Sequence, residues 1–237
     1  MIAAAVAASF ALTATPARVQ LTGAQNAALR VRNRGTSRVV VDVQRAGFAL
    51  DLRGRPRIVP VRPSAWLTVT PRRVAVAAGG VATLTVRGRV PHGAAPGDRT
   101  GLLLLSTEPP SDASVAVRLR LGIVVVLRVP GTVLHRLAVQ GLGVGRSAGL
   151  RTFRLSLANT GNVTELLTAR RVVVTFRRGR KVFARLHPAA RELLPRSRAV
   201  LELRWRTAVR GALTADVSIA PVAGAGGARR TFEVSLE

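Results

Sequence analysis

Val115-Ala-Val-Arg-Leu-Arg-Leu-Gly-Ile-Val-Val-Val-Leu-Arg-Val-Pro130 is the stretch that decides the fold. From Val115 to Val129 every second residue is a large aliphatic: Val115, Val117, Leu119, Leu121, Ile123, Val125, Leu127 and Val129. Successive side chains of an extended chain point to opposite faces, so this spacing predicts one long strand with one continuously buried face. The other face carries Arg118, Arg120 and Arg128 towards its ends and Val124 and Val126 in the middle. Such a strand would run about 50 Å before Pro130 and Gly131 stop it. It reads as the last strand of one β-domain, leading into a second.

Outward from this strand the same grammar repeats. Towards the N-terminus, Phe10–Leu21 is a strand interrupted at Thr15-Pro16, which suits a sheet edge, where a missing N–H costs little. In Ala27–Gly35, Leu29 and Val31 point inward and Arg30 and Arg32 outward, and Asn33-Arg-Gly35 turns the chain. Strands follow at 38–44, in short pieces over 47–63, and at 66–70, 73–77, 81–90 and 101–107. Beyond Pro130, Phe153-Arg-Leu-Ser-Leu-Ala-Asn159-Thr-Gly161 echoes Leu29–Gly35 as an alternating strand closed by Asn-x-Gly. Val172–Phe176 and Lys181–Leu186 read as a hairpin. Ala199–Trp205 matches Val81–Arg87 in pattern, and Leu213–Ala220 with Arg230–Leu236 closes the chain. Gly141-Leu-Gly-Val-Gly145 reads as a flexible connection.

Short strands at regular spacing with turn signals between them predict an all-β chain of two tandem immunoglobulin-like β-sandwich domains. The expected segments are 10–130 and 131–237, with 1–9 as the remnant of a signal peptide. Met1–Leu12 is apolar, and Ala5-Val6-Ala7 has the form of a cleavage site. Export to the cell surface or the extracellular space is the expected localisation. No stretch is long and apolar enough for a membrane helix.

The 237 residues carry 37 Lys and Arg against 11 Asp and Glu, a formal charge of +26. Lys181 is the only lysine. The arginine excess accompanies abundant Ala, Gly, Pro and Val, all of GC-rich codons, and reads mainly as coding bias. It still gives a surface that attracts polyanions. There is no cysteine, so a disulfide framework, a thiolate metal site and a Cys nucleophile are excluded. His92, His135 and His187 stand far apart with no acid at ligand spacing, and the acids form no pair suited to acid–base work. Neither an enzyme nor a cofactor or metal site is expected. Asn162-Val-Thr164 fits a glycosylation acceptor by chance. The densest basic cluster surrounds the 172–186 hairpin, with Arg177, Arg178, Arg180 and Lys181 as candidate anion-binding residues. The same charges would also keep an edge hairpin from pairing with other edges. Phe176 and Phe183 are expected to face the core, which leaves no aromatic platform for nucleic acid.

Ala14–Leu21, Ala28–Gly35, Trp66–Pro71 with Ala78-Gly-Gly80, and Pro96-Gly-Asp-Arg-Thr-Gly-Leu-Leu-Leu-Leu-Ser106 together resemble the N-terminal domain of bacterial WxL-interacting cell-surface proteins. That resemblance covers about residues 10–130. It implies a non-enzymatic envelope protein whose partner is a wall polymer, peptidoglycan, or another surface protein. The two-sandwich layout also resembles the PapD-type pilus-assembly chaperones, in which alternate side chains of a long strand are lent to an incomplete client. By that resemblance Leu119, Leu121, Ile123 and Val125 are the partner-binding residues of strand 115–129. That family pairs an Arg on the first strand with a Lys near the end of the long strand. Arg18 falls near the first position, whereas Val125 stands at the second.

Overall fold

The computed structural model describes residues 11–59, 66–108, 118–147, 150–222 and 226–237. The expected signal-peptide remnant and Val115–Val117 lie outside the described residues. The chain is all-β, with no helix among the described residues. It divides into two compact units, one from 1–49 with 58–130 and one from 50–57 with 131–237.

In the first unit, β1 (Leu12–Thr15), β2 (Arg18–Thr22), β3 (Asn26–Asn33), β4 (Val39–Leu50), β5 (Pro56–Val59), β6 (Leu67–Thr70), β7 (Arg73–Val76), β8 (Val81–Gly88), β9 (Gly97–Thr107) and β10 (Arg120–Val129) build two sheets. One has the order β1-β3-β8-β6; the other runs β2-β10-β9-β4-β5, with β7 also on β4. The break at Thr15-Pro16 divides the first strand between them, so β1 edges one sheet and β2 the other. Leu29, Val31, Leu84, Val86, Leu103, Leu105, Val125 and Leu127 are fully buried between the sheets.

In the second unit, β11 (Leu137–Ser147), β12 (Leu150–Asn159), β13 (Glu165–Leu167), β14 (Val172–Arg178), β15 (Lys181–Leu186), β16 (Arg191–Leu193), β17 (Arg198–Trp205), β18 (Gly211–Ile219) and β19 (Ala228–Leu236) follow. They form sheets β11-β12-β17 and β15-β14-β18-β19 with a small β13-β16 pair. The core centres on Phe153 and Phe176, whose ring centroids lie 4.4 Å apart. Residues 50–57, which include the last residue of β4 and the first two of β5, fall within the first expected segment but group with this unit. Val200 N donates to Leu52 O at 2.7 Å, and Arg191 Nη1 donates to the same oxygen at 3.2 Å.

Two expectations are corrected here. Among the described residues the regular pairing of the long strand starts at Arg120, so Arg118 and Leu119 fall outside it, although Thr107 N still donates to Leu119 O. The stretch Gly141–Gly145 is no flexible connection but the middle of β11, at the edge of its sheet. Its glycines pair with Ser156, Arg154 and Thr152 of β12, and a missing side chain does not prevent a ladder hydrogen bond.

The Asn-x-Gly repeat has a physical basis. Asn33, 1 % exposed, donates from Nδ2 to Ser37 O, Val76 O and Ala77 O, and its Oδ1 accepts from Gly35 N at 2.9 Å. Asn159 does the same in the second unit, donating to Val163 O and Leu193 O and accepting from Gly161 N at 2.9 Å. Each is an Asx turn whose amide also ties down a distant segment.

Candidate functional site

The feature that stands out is an edge of β10. On one side β10 pairs antiparallel with β9 along its whole length, Arg120 opposite Ser106 through Val129 opposite Gly97. On the other side it pairs parallel with β2, but only from Val124 opposite Arg18 to Arg128 opposite Thr22. Among the described residues no strand pairs with Arg120–Ile123 on that side.

The direction of the unpaired groups follows from the neighbouring bonds. Thr107 N donates to Leu119 O at 3.0 Å, so Leu119 addresses β9; Val124 N donates to Ala17 O at 3.3 Å, so Val124 addresses the β2 side. Backbone groups alternate sides along a strand, which turns the N–H and C=O of Arg120 and Gly122 towards the open edge. The side chains alternate perpendicular to this. Leu119 and Leu121 are half-buried and lean on the core; Arg118, Arg120 and Gly122 are exposed.

Of the four expected partner-binding residues, then, Leu119 and Leu121 flank the open edge. Ile123 and Val125 are 3 % and 0 % exposed and belong to the closed core of the free chain. The Arg and Lys positions implied by the chaperone resemblance are only backbone neighbours: Arg18 pairs with Val124 and Val19 with Val125, so the side chains of Arg18 and Val125 point to opposite faces of the sheet. The second position supplies a sealed valine and no cation. At the far end of β10, Arg128 is held by a bidentate pair with the carboxylate of Asp98.

The basic hairpin is less available than its sequence suggests. Arg177 Nε donates to Asp216 Oδ2 at 2.5 Å, and Arg178 is committed to the carbonyls of Ala212 and Arg210. Lys181 lies 5.2 Å from the centroid of the Phe183 ring. Arg180 and Lys181 are exposed at the turn. Phe176 is fully buried and Phe183 packs partly against the core, as expected.

One cluster was invisible in the sequence. Glu165, 2 % exposed, accepts from Arg171 Nη1 at 2.8 Å and lies 2.7 Å from His135 Nδ1. Thirty residues separate His135 from Glu165, so no local spacing could announce the pair. No group of three or more His, Asp and Glu able to hold a metal gathers among the described residues. Asn162 uses its side chain on Thr132 O and Leu134 N. No helix among the described residues is long and apolar enough to cross a membrane.

No protein-family model matches the chain, and no curated protein matches it by sequence. Solved structures do. The class 5 fimbriae chaperone CfaA superposes with a TM-score of 0.55 at 12 % identity, covering 93 % of this chain and 98 % of that one. The CupB2 chaperone of Pseudomonas aeruginosa gives 0.51 at 16 %, covering 95 % and 100 %. A chain from the Salmonella enterica complex of SafA pilin with the SafB chaperone gives 0.52 at 14 %, covering 98 % and 99 %. At these identities the likeness shows the fold: the chain is similar throughout to two-domain, all-β chaperone structures, while the resemblance to WxL-interacting proteins gains no support.

Proposed function

We propose that this chain is an exported, non-enzymatic chaperone that lends β10 to a client protein, the client adding to the open edge at Arg118–Ile123. The observation that carries this is the half-paired strand. Among the described residues β2 alone flanks that side of β10, and only from Val124 onward, leaving the N–H and C=O of Arg120 and Gly122 beside the half-buried Leu119 and Leu121. Main-chain hydrogen bonds supply affinity in strand addition, and alternate side chains supply specificity. The similarity to chaperones solved with a pilin or a tip adhesin points to surface subunits as the client class. Export accords with the apolar Met1–Leu12, and the periplasm is the fitting compartment. Binding to wall polymer has less behind it: two of the four candidate cations of the basic hairpin, Arg177 and Arg178, are already committed, and no comparison favours it.

The absence of cysteine makes a clean test possible. Arg120→Cys carrying a thiol cross-linker, expressed with export in its native host, should form an adduct with a β-sandwich subunit. Adding Leu119→Arg and Leu121→Arg should abolish the adduct. An adduct pattern identical to that of Arg180→Cys on the distant hairpin turn would refute the reading.

A further inference from the structure

The open edge also says what charge the client carries there. We infer that the segment added to β10 alternates apolar and acidic residues, with Asp or Glu opposite Arg118 and Arg120; this rests on the strand-lending reading above. Residues directly opposite on one face of paired strands sit about 5 Å apart at Cβ, so each added residue meets the β10 residue beside it. On the inner face the neighbours are Leu119 and Leu121, which call for apolar side chains. On the outer face they are Arg118 and Arg120, both exposed and with no ion pair among the described residues. On the β9 side the neighbour of Arg120 is the neutral Ser106. Asp42 lies one strand further and is already 3.9 Å from Arg73. Gly122 then ends the charged run.

The same arginines disfavour a second copy of this chain as the occupant. Two such edges joined together would bring arginines against arginines, and like charges directly opposite destabilise a sheet. An acidic, apolar-alternating strand meets both faces, and a chain of +26 draws it in from solution.

The test uses the full chain and three dye-labelled peptides of equal length, alternating Val with Glu, Val with Ser and Val with Lys, read by fluorescence anisotropy. At physiological salt the Glu peptide should bind roughly tenfold tighter than the Ser peptide, as expected for two opposite-charge cross-strand pairs, and the Lys peptide weakest. Arg118→Glu with Arg120→Glu should reverse the order. Arg180→Glu with Lys181→Glu, an identical change in net charge at the distant hairpin, should leave it. Should the Glu variant not fold by circular dichroism, Arg118→Gln with Arg120→Gln should bring the Glu and Ser peptides to within about twofold. Equal binding of the Glu and Ser peptides by the parent would overturn the inference while leaving the strand-lending reading intact. An acidic preference equally sensitive to both charge-reversal pairs would also overturn it, since net charge alone would then explain it. A chain that sediments as a dimer dispersed by the peptides would make a second copy the occupant. No binding of any peptide would bring down the inference and the strand-lending reading together.

Discussion

Removing the amide of Asn33 should unfold the first unit at markedly lower denaturant. The side chain is 1 % exposed and makes four contacts: Nδ2 with the carbonyls of Ser37, Val76 and Ala77 at 2.7, 3.2 and 3.1 Å, and Oδ1 with the Gly35 N–H at 2.9 Å. Two N–H bonds shared among three carbonyls, plus one accepted bond, amount to three effective hydrogen bonds. At about 1 kcal/mol net each, Asn33→Ala should cost about 3 kcal/mol, with a range of roughly 2–5 if the buried carbonyls find no water. The chain has two tryptophans, Trp66 in the first unit, 5 % exposed, and Trp205 in the second. In a Trp205→Phe background, Trp66 fluorescence therefore follows the first unit alone. With a urea slope of about 1–3 kcal/mol/M, a loss of 3 kcal/mol lowers the midpoint by roughly 1–3 M. Asn33→Asp separates bonding from packing. It keeps the volume but points a carboxylate at three carbonyls, and should cost at least as much as Ala. A near-native midpoint for Asn33→Asp, or a loss under about 0.5 kcal/mol for Asn33→Ala, would refute this account of the Asn-x-Gly turn.

Three further outcomes are expected. Gly161→Ala should destabilise the second unit by about 3 kcal/mol or more, because the new Cβ would meet Leu134 O at 2.1 Å; Trp205 fluorescence in a Trp66→Phe background reads this out, and an unchanged midpoint would show the turn to be soft. Glu165→Ala should cost the second unit about 3–5 kcal/mol, since it strands Arg171, whose side chain is 16 % exposed, without its carboxylate; a loss below about 1 kcal/mol in the same assay would mean that water takes over. The Arg177 guanidinium, and after it the Thr231 hydroxyl, donates to Asp216 and holds its carboxyl below the usual range. A folded value below the unfolded one, about 3.9, stabilises the fold above that pH and is lost as pH falls through the folded value. The second unit's urea midpoint should therefore fall more steeply below about pH 4 than it does in Asp216→Asn, and parallel curves would contradict the assignment.

Alternation made the strands legible because one buried face imposes a period of two, as in β3, where Leu29 and Val31 are buried and Arg30 and Arg32 exposed. The Asn-x-Gly repeat was legible because a short turn encodes itself locally. Two things were not. Alternation tells which face of β10 is buried but carries no information about which of its edges is paired. The parallel contact with β2 joins residues more than a hundred positions apart. The glycines of β11 misled for a different reason. Glycine usually marks a turn, yet here the bonds to β12 hold Gly141, Gly143 and Gly145 in a ladder, and Cβ atoms at Gly141 and Gly143 would meet nothing within 4 Å. The basic hairpin was legible as charge but not as availability, because Asp216, which neutralises Arg177, lies on another strand.

On the strand-lending reading, the abrupt start of β2 acts as a doorstop. An added strand that slides along β10 meets Arg18 at Val124 and can go no further. Sheet pairing has no tolerance for a one-residue slip, which would exchange every side chain between faces. On that reading, a blunt barrier at one end would limit the range of registers before any side chain is compared. On the strand-lending reading, moving the stop by one residue, through a deletion or insertion between Pro16 and Arg18, would re-index the client while leaving every residue of β10 in place.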